Sequence, residues 1–194
     1  VFQAREKKAS GSTRSTVTQL AALWRDPFAT DAPRRLEQAG FADGAAIAQH
    51  LQHFARLPAL ATLSARARTR LDRVLPQLLA AAADSAAADV ATQRGLALVQ
   101  AVLRRSSYLS LLDEQPAALS RLVDVLAASR WMSDRLCAHP LLLDDLLDVR
   151  ADTHPPTRSE VGAALEQALA GVPPDDTEAR IHALNEFRQS FSFR

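Results

Sequence analysis

From residue 18 onward the chain is punctuated as a string of helices. Apolar side chains recur every three or four positions in short segments, and most segments open at a capping residue or a proline and close at a glycine or before a proline. Composition agrees with this pattern. Alanine and leucine make up about a third of the 194 residues, and β-branched and aromatic residues are sparse, a balance that favours helices over sheets. The expected class is all-α, an irregular bundle of about ten helices with no sheet. With 47% apolar and 23% charged residues and a formal charge of +1, disorder and collagen-like structure are excluded. A domain of ~150 residues already buries roughly 70% of its unfolded surface, so no disulfide or metal is needed to hold a core.

The punctuation sets the expected boundaries. Residues 1–14 are polar and lack helical period, so they read as a tail or the end of a preceding element, and a first residue other than methionine suggests a cut piece. A short helix at 18–25 stops before Pro27, and another at 34–39 ends at Gly40. Asp43 caps a helix at 45–56 that presents Ile47, Leu51 and Phe54 on one face. Ser64 caps a longer one bearing Leu71, Val74, Leu75, Leu78 and Leu79, with a kink expected at Pro76. Asp89 begins a helix running to about Arg105 with Val90, Leu96, Val99 and Leu103 inward, and Ser106 or Ser107 starts the next. Pro116 opens a helix with Leu119, Leu122, Val123 and Leu126 at core spacing. Ser129 caps one carrying Met132, Leu136 and Cys137, and Pro140 starts 141–147, whose polar side holds Asp144 and Asp145, continued by Asp148. After a loop at 151–157, Ser159 caps one helix, and the acidic run at 175–178 opens the last, where negative charge suits the helix dipole. Ile181, Leu184, Phe187 and Phe191 follow with nothing to stop the helix before Arg194, so the chain is expected to end mid-helix through truncation. Trp24, Trp131 and Tyr108 fall at helical spacing and read as core.

Chemistry-bearing constellations are few. A single cysteine, Cys137, excludes an internal disulfide and a cysteine-based zinc site and fits a reducing compartment. The longest apolar run, 78–83, is far below the ~20 residues of a membrane span, so a soluble cytoplasmic protein is expected. No phosphate-cradling glycine loop, HExxH, GxSxG or Asp-x-Asp pair occurs. His50 and His53 lie one turn apart and make half a zinc site, with a surface or packing role expected. Asp144, Asp145 and Asp148 form an acidic face that reads first as solvated. Arg66, Arg70 and Arg73 share a helical face with Arg68 nearby, but few aromatics interleave with them and the chain is near neutral, so nucleic acid is not the expected partner. Charge does drift, from 12 basic and 6 acidic residues in 1–75 to 6 basic and 11 acidic in 131–194.

A family resemblance enters at Arg105. The ordered series Arg105, Ser106, Ser107, Tyr108, Leu109, Leu111, Leu112, Glu114, Pro116, Leu122, Ser129, Trp131, His139, Pro140, Leu142, Leu143, Asp144, Leu146, Leu147 and Asp148 resembles the helical segment between the two catalytic halves of bacterial glutamine synthetase adenylyltransferase/adenylyl-removing enzymes. Pro155, Pro156, Arg158, Asp175, Asp176, Glu178, Leu184, Phe187, Arg188, Gln189 and Arg194 are similar to the family's stretch leading into its second catalytic domain. Leu23, Trp24, Gly40, Phe41, Leu71 and Pro76 fit more diffusely.

The resemblance implies a parent enzyme that moves AMP from ATP onto a tyrosine of glutamine synthetase and removes it by phosphorolysis, each activity in its own nucleotidyltransferase domain. Such domains hold magnesium with an Asp-x-Asp pair behind a glycine-bearing turn. Gly11 and Ser12 are followed by no such pair, so no catalytic, cofactor or metal residue carries over, and the segment is expected to be non-catalytic, with ATP and magnesium belonging to the parent. Residues 15–105 would follow the first catalytic half and 106–194 would lead into the second. The implied partners are the flanking nucleotidyltransferase domains and glutamine synthetase, with the PII signal protein as a further candidate; nucleic acid and membrane are not implied. If PII touches this segment, the acidic face at Asp144, Asp145 and Asp148 or the arginine face at Arg66, Arg70 and Arg73 would carry the contact. Two rival readings remain: a stand-alone helical interaction module, and a nucleic-acid-binding domain with steep salt dependence.

Overall fold

The computed structural model describes residues 15–147, 157–173 and 175–191; for Ser106, Asp144, Asp145, Leu147, Gln189, Ser190 and Phe191 it describes the backbone only. Every described element is a helix, as the sequence pattern demands. A first helix, α1, spans 15–25. It is followed by α2 (Ala32–Gln38), α3 (Gly44–Ala55), α4 (Pro58–Ala61), α5 (Ala65–Ala83), α6 (Ala88–Val102), α7 (Ser106–Glu114), α8 (Pro116–Ala128), α9 (Arg130–Ala138), α10 (Leu142–Leu147), α11 (Arg158–Leu169) and α12 (Thr177–Phe191). The chain divides into two compact units, Val1–Pro140 and Leu141–Arg194. The division expected at residue 105 lies inside the first unit, where α7 and α8 both pack against α5 and α6.

The first unit is built on α5, α6 and α8. α5 packs against α6, α7 and α8, and α6 also meets α3 and α9. Their facing stripes are sealed: Leu71, Val74, Leu75, Leu78 and Leu79 of α5, Leu98, Val99 and Val102 of α6, and Leu122, Val123 and Leu126 of α8 are all 0% exposed. Full burial of one such side chain is worth about 1.5–3 kcal/mol, so these three stripes contribute a large share of the drive that folds the unit. α5 runs unbroken through Pro76, which is itself buried, although a proline there denies a donor to the carbonyl one turn earlier. Core packing on both sides of the proline outweighs that loss.

Local signals explain most boundaries. Asp43 accepts from the Ala46 N–H at 2.8 Å and Ser64 from the Ala67 N–H at 3.2 Å, each capping its helix as its type dictates. Ser129, the one residue between α8 and α9, caps α9 through the Met132 N–H. Gly40 takes φ +111°, the left-handed turn that lets α2 end and the chain reverse into α3. Pro58 opens the short α4, which the spacing does not reveal.

Several expectations are corrected. Asp89 does not cap α6. Ala87 holds the cap position, and the Asp89 carboxylate instead accepts from the Ala42 and Asp43 N–H groups at 3.1 and 2.9 Å, tying the start of α6 to the start of α3. Val90 is 39% exposed because the buried stripe of α6 runs through Ala91, Gly95, Leu98 and Val102, on the far side of the helix. Trp131 is 54% exposed for the same reason: α9 turns Ser133 and Leu136 inward. The cap of α11 is Thr157, not Ser159, in a reciprocal capping box with Glu160. Ile181 and Leu184 are exposed, since α12 packs against α11 and one neighbouring helix covers one side only. The loop at 151–156 and the end at 192–194 lie outside the described residues.

Candidate functional site

The arginine face of α5 is the one expected contact surface whose side chains are described in full. Its helix begins at the Ser64 cap, which fixes the register that puts Arg66, Arg70 and Arg73 at positions i, i+4 and i+7. Packing then splits the group. Arg73 reaches α7, where its guanidinium lies 2.6 Å from the Asp113 carboxylate, itself only 12% exposed. Arg68 pairs with Asp72 at 3.1 Å and sits 5.5 Å over the Trp24 ring. Asp72 in turn accepts from the Trp24 indole N–H at 2.7 Å, which locks α1 to α5. Arg66 and Arg70 make no ion pair among the described residues, so the cations left for a partner are these two, one turn apart, with Arg70 half-buried and Arg66 exposed. Arg73 and Arg68 are structural by comparison, each already matched to a carboxylate.

The acidic face is placed only in part. Asp144 and Asp145 lie on α10 by their backbone, while their side chains, and Asp148 altogether, fall outside the described residues. The arginine and acidic sets belong to different compact units.

Metal and nucleophile chemistry finds little support. His50 and His53 sit one turn apart on α3, and among the described residues no three His, Cys, Asp or Glu side chains come together in a way that could hold a metal. The described residues thus supply no ligand set for the magnesium that the family resemblance implies for the parent. Burial, reinforced by the Asp134 charge, pushes the Cys137 thiol above its ordinary pKa, so it stays protonated and poorly nucleophilic at neutral pH. Glu160 moves the other way: the Thr157 backbone N–H and then the Thr157 hydroxyl hold its carboxylate below the usual range.

Two features escaped the sequence. Arg94 of α6 donates to the carbonyls of Leu126 and Ala127 at 2.6 and 3.2 Å, satisfying the end of α8 from a helix more than thirty residues away. Nothing in local spacing marks such a cap. The second is a cavity of about 720 Å³ bounded by α1, α5 and α8, its floor including Ala80 and Ala81. Paired small residues on a helical face were its only trace in the sequence.

Comparison with known proteins follows this helical arrangement along most of its length. The sequence profile described as glutamate-ammonia ligase adenylyltransferase matches residues 119–194. A bifunctional glutamine synthetase adenylyltransferase/adenylyl-removing enzyme of Stenotrophomonas maltophilia strain K279a is 51% identical over 176 residues, 90% of this chain. The chain belongs to the glutamate-ammonia ligase adenylyltransferase family. Enzymes of the same description from Xanthomonas oryzae pv. oryzae strain MAFF 311018, 51% identical over 90% of this chain, and from Pseudomonas syringae pv. tomato strain DC3000, 39% identical over 89%, extend the likeness. The chain spans about 18% of the length of each of these adenylyltransferase relatives. The profile runs from within α8 to the end of α12 and beyond, and the identity to the Stenotrophomonas relative extends over more of the chain.

Proposed function

We propose that this chain is a helical, non-catalytic segment of an enzyme that attaches AMP to glutamine synthetase and removes it again, lying between the enzyme's two nucleotidyltransferase halves. The observation that carries this reading is 51% identity along 90% of the chain to enzymes named for both activities, in a sequence with no Asp-x-Asp pair. ATP and magnesium would be bound in the flanking halves, where the reaction needs metal to offset charge on the transferred group. Residues 15–105 would follow the first half and 106–194 lead into the second, and the parent would work in the cytoplasm.

A rigid helical core suits such a position. With α5, α6 and α8 sealed against one another, a contact made on one face is transmitted as a movement of the whole unit. PII is the proposed source of that contact, and the unmatched cations Arg66 and Arg70 are the proposed receiving pair, with the acidic residues of α10 as the alternative face. Coupling of this kind needs an effector that distinguishes two arrangements of the parent.

The test is direct. Incubated with glutamine synthetase, ATP and magnesium, the pure 194-residue chain is expected to incorporate no labelled AMP, whereas the parent enzyme does. Incorporation by the chain alone would sink the non-catalytic reading. In the parent, the pair Arg66→Glu and Arg70→Glu is expected to weaken PII binding about tenfold or more while leaving unregulated AMP transfer intact. Unchanged affinity there, and again after charge reversal on α10, would remove PII from the proposal.

A further inference from the structure

Two faces of α12 carry apolar side chains. Arg180, Ala183 and Phe187 are half-buried and form the side that α11 covers. Roughly 100° further round the helix, Thr177, Ile181, Leu184, Arg188 and Phe191 follow at alternating four- and three-residue spacing, the repeat that keeps one stripe turned to one neighbouring helix. Ile181 is 55% and Leu184 41% exposed on this second face. A single exposed leucine needs no explanation, but here the apolar surface is left over from a helix pair that already lacks a core: α11 buries no residue and the described residues of α12 are at best half-buried.

The size of the stripe decides what kind of partner can cover it. Separate proteins that associate stably bury about 800 Å² each, and two half-exposed aliphatic side chains fall far short of that. A second copy of the chain is thereby disfavoured. A tethered partner meets a lower requirement: a seam with a separate-chain Kd of about 0.1 mM is about 90% occupied at the effective concentration, on the order of 1 mM, that a linker within one polypeptide supplies, and about 1% occupied between molecules at about 1 μM. The adenylyltransferase relatives have polypeptide to supply it, since this chain spans about 18% of their length. Ile181 at the a position and Leu184 at the d position of the repeat is the combination that suits one partner helix rather than several.

We propose that this face of α12 is the docking site of one amphipathic helix belonging to the second nucleotidyltransferase half of the parent enzyme. The proposal rests on the reading of this chain as the segment ahead of that half. The partner helix presents its own aliphatic residues at three- and four-residue spacing and crosses α12 at about 20°. α12 then has α11 on one side and the catalytic half on the other, so a displacement of the hairpin displaces that half with it.

Cysteine reactivity reads the face position by position. Ile181→Cys, Leu184→Cys and His182→Cys are placed singly in the 194-residue chain and in the parent, and alkylation by iodoacetamide is followed by mass spectrometry on the tryptic peptide 181–188, which is separate from Cys137. His182 is the control, because its side chain is 76% exposed and lies roughly 130° from both faces. In the chain alone the three thiols are expected to react at similar rates. In the parent, those at 181 and 184 should react about tenfold more slowly, the consequence of about 90% occupancy, while the one at 182 stays within about twofold of its rate in the chain. Adding Leu184→Gln to the parent should return the thiol at 181 to most of its rate in the chain. Equal rates at 181 in chain and parent would overturn the docking, as would equal slowing at 182, which would mean burial of α12 all round. Slow alkylation at 181 in the chain alone would overturn it too: if it deepens with chain concentration the face is an interface between copies, and if it does not the cover lies within these 194 residues. The assigned position in the parent fails separately, through AMP transfer by the chain alone.

Discussion

Two glycines show how differently the same added methyl group can act. A Cβ at Gly44 would collide with the Pro33 carbonyl oxygen, a backbone atom held by α2, so no rotamer change can make room. A Cβ at Gly95 would lie 2.9 Å from Leu78 Cδ2, the mobile end of a side chain. Gly95 is also interior to α6, where alanine is worth up to ~1 kcal/mol over glycine through helix propensity. Leu78 is fully buried, however, and moving its methyl into a filled core costs about 1–3 kcal/mol. The overpacking cost wins narrowly. Gly95→Ala is expected to destabilise the chain by about 1 kcal/mol in urea denaturation, and Gly44→Ala by more than about 3 kcal/mol or to prevent folding. Equal losses at the two sites would mean that the approach of α2 to α3 is looser than these distances describe. Neither steric demand was legible in advance. Gly44 read only as the residue after a cap, because its constraint comes from Pro33, eleven positions away, and Gly95 carried no positional signal inside a helical pattern.

At the scale of elements, the sequence disclosed most where the physics was local. Asp43, Ser64 and Ser129 cap the helices that their spacing assigned to them, and Pro116 opens α8, because each of these effects is completed within four residues. It disclosed least where a side chain serves another element, as with Asp89, whose carboxylate holds the start of α3, and Arg94, which closes α8. Exposure of Val90 and Trp131 was hidden for a related reason: an apolar residue at helical spacing shows that a stripe exists but not which neighbours cover it. The arginine face was legible as a face, and the pairing of Arg73 with Asp113, forty residues away, was not. The capping box of α11 offers a local test. Thr157 holds the Glu160 carboxylate below its ordinary pKa, so this carboxylate stabilises the helix start above its unfolded pKa and loses that effect as pH falls through the folded value. In an acid titration followed by NMR, the Thr157 amide is expected to shift with an apparent pKa below the usual glutamate range, accompanied by fraying of the first turn of α11. A Thr157 amide that instead titrates at the ordinary glutamate value would show that the box does not persist in solution. Thr157→Ala should move that apparent pKa upward.

Across the whole molecule, burial is distributed so unevenly that stability must be as well. α5, α6 and α8 each contribute several residues with no exposure, whereas α11 has no buried residue and the described residues of α12 are at best half-buried. A helix in water gains little from propensity alone, and below about twelve to fifteen residues it is marginal without an apolar face to bury. The twelve residues of α11 and fifteen of α12 are near that limit, and their mutual packing leaves Ile181 55% and Leu184 41% exposed. Native-state hydrogen exchange should therefore separate the two units. Amides of Leu75, Leu78, Leu98 and Val99 are expected to exchange only through global unfolding, with a denaturant dependence equal to that of the whole first unit. Amides of α11 and α12 should exchange at least about a hundredfold faster, through local opening that denaturant barely accelerates. If α11 and α12 proved as protected as α5, a surface that covers Ile181 and Leu184 would have to exist in solution. In the longer enzyme proposed above that protection is the expected result, since the family profile spans residues 119–194 and so crosses without a break from the end of the first unit into the second. Comparing exchange in the chain and in the parent thus measures how much of the second unit's order is supplied from outside these 194 residues.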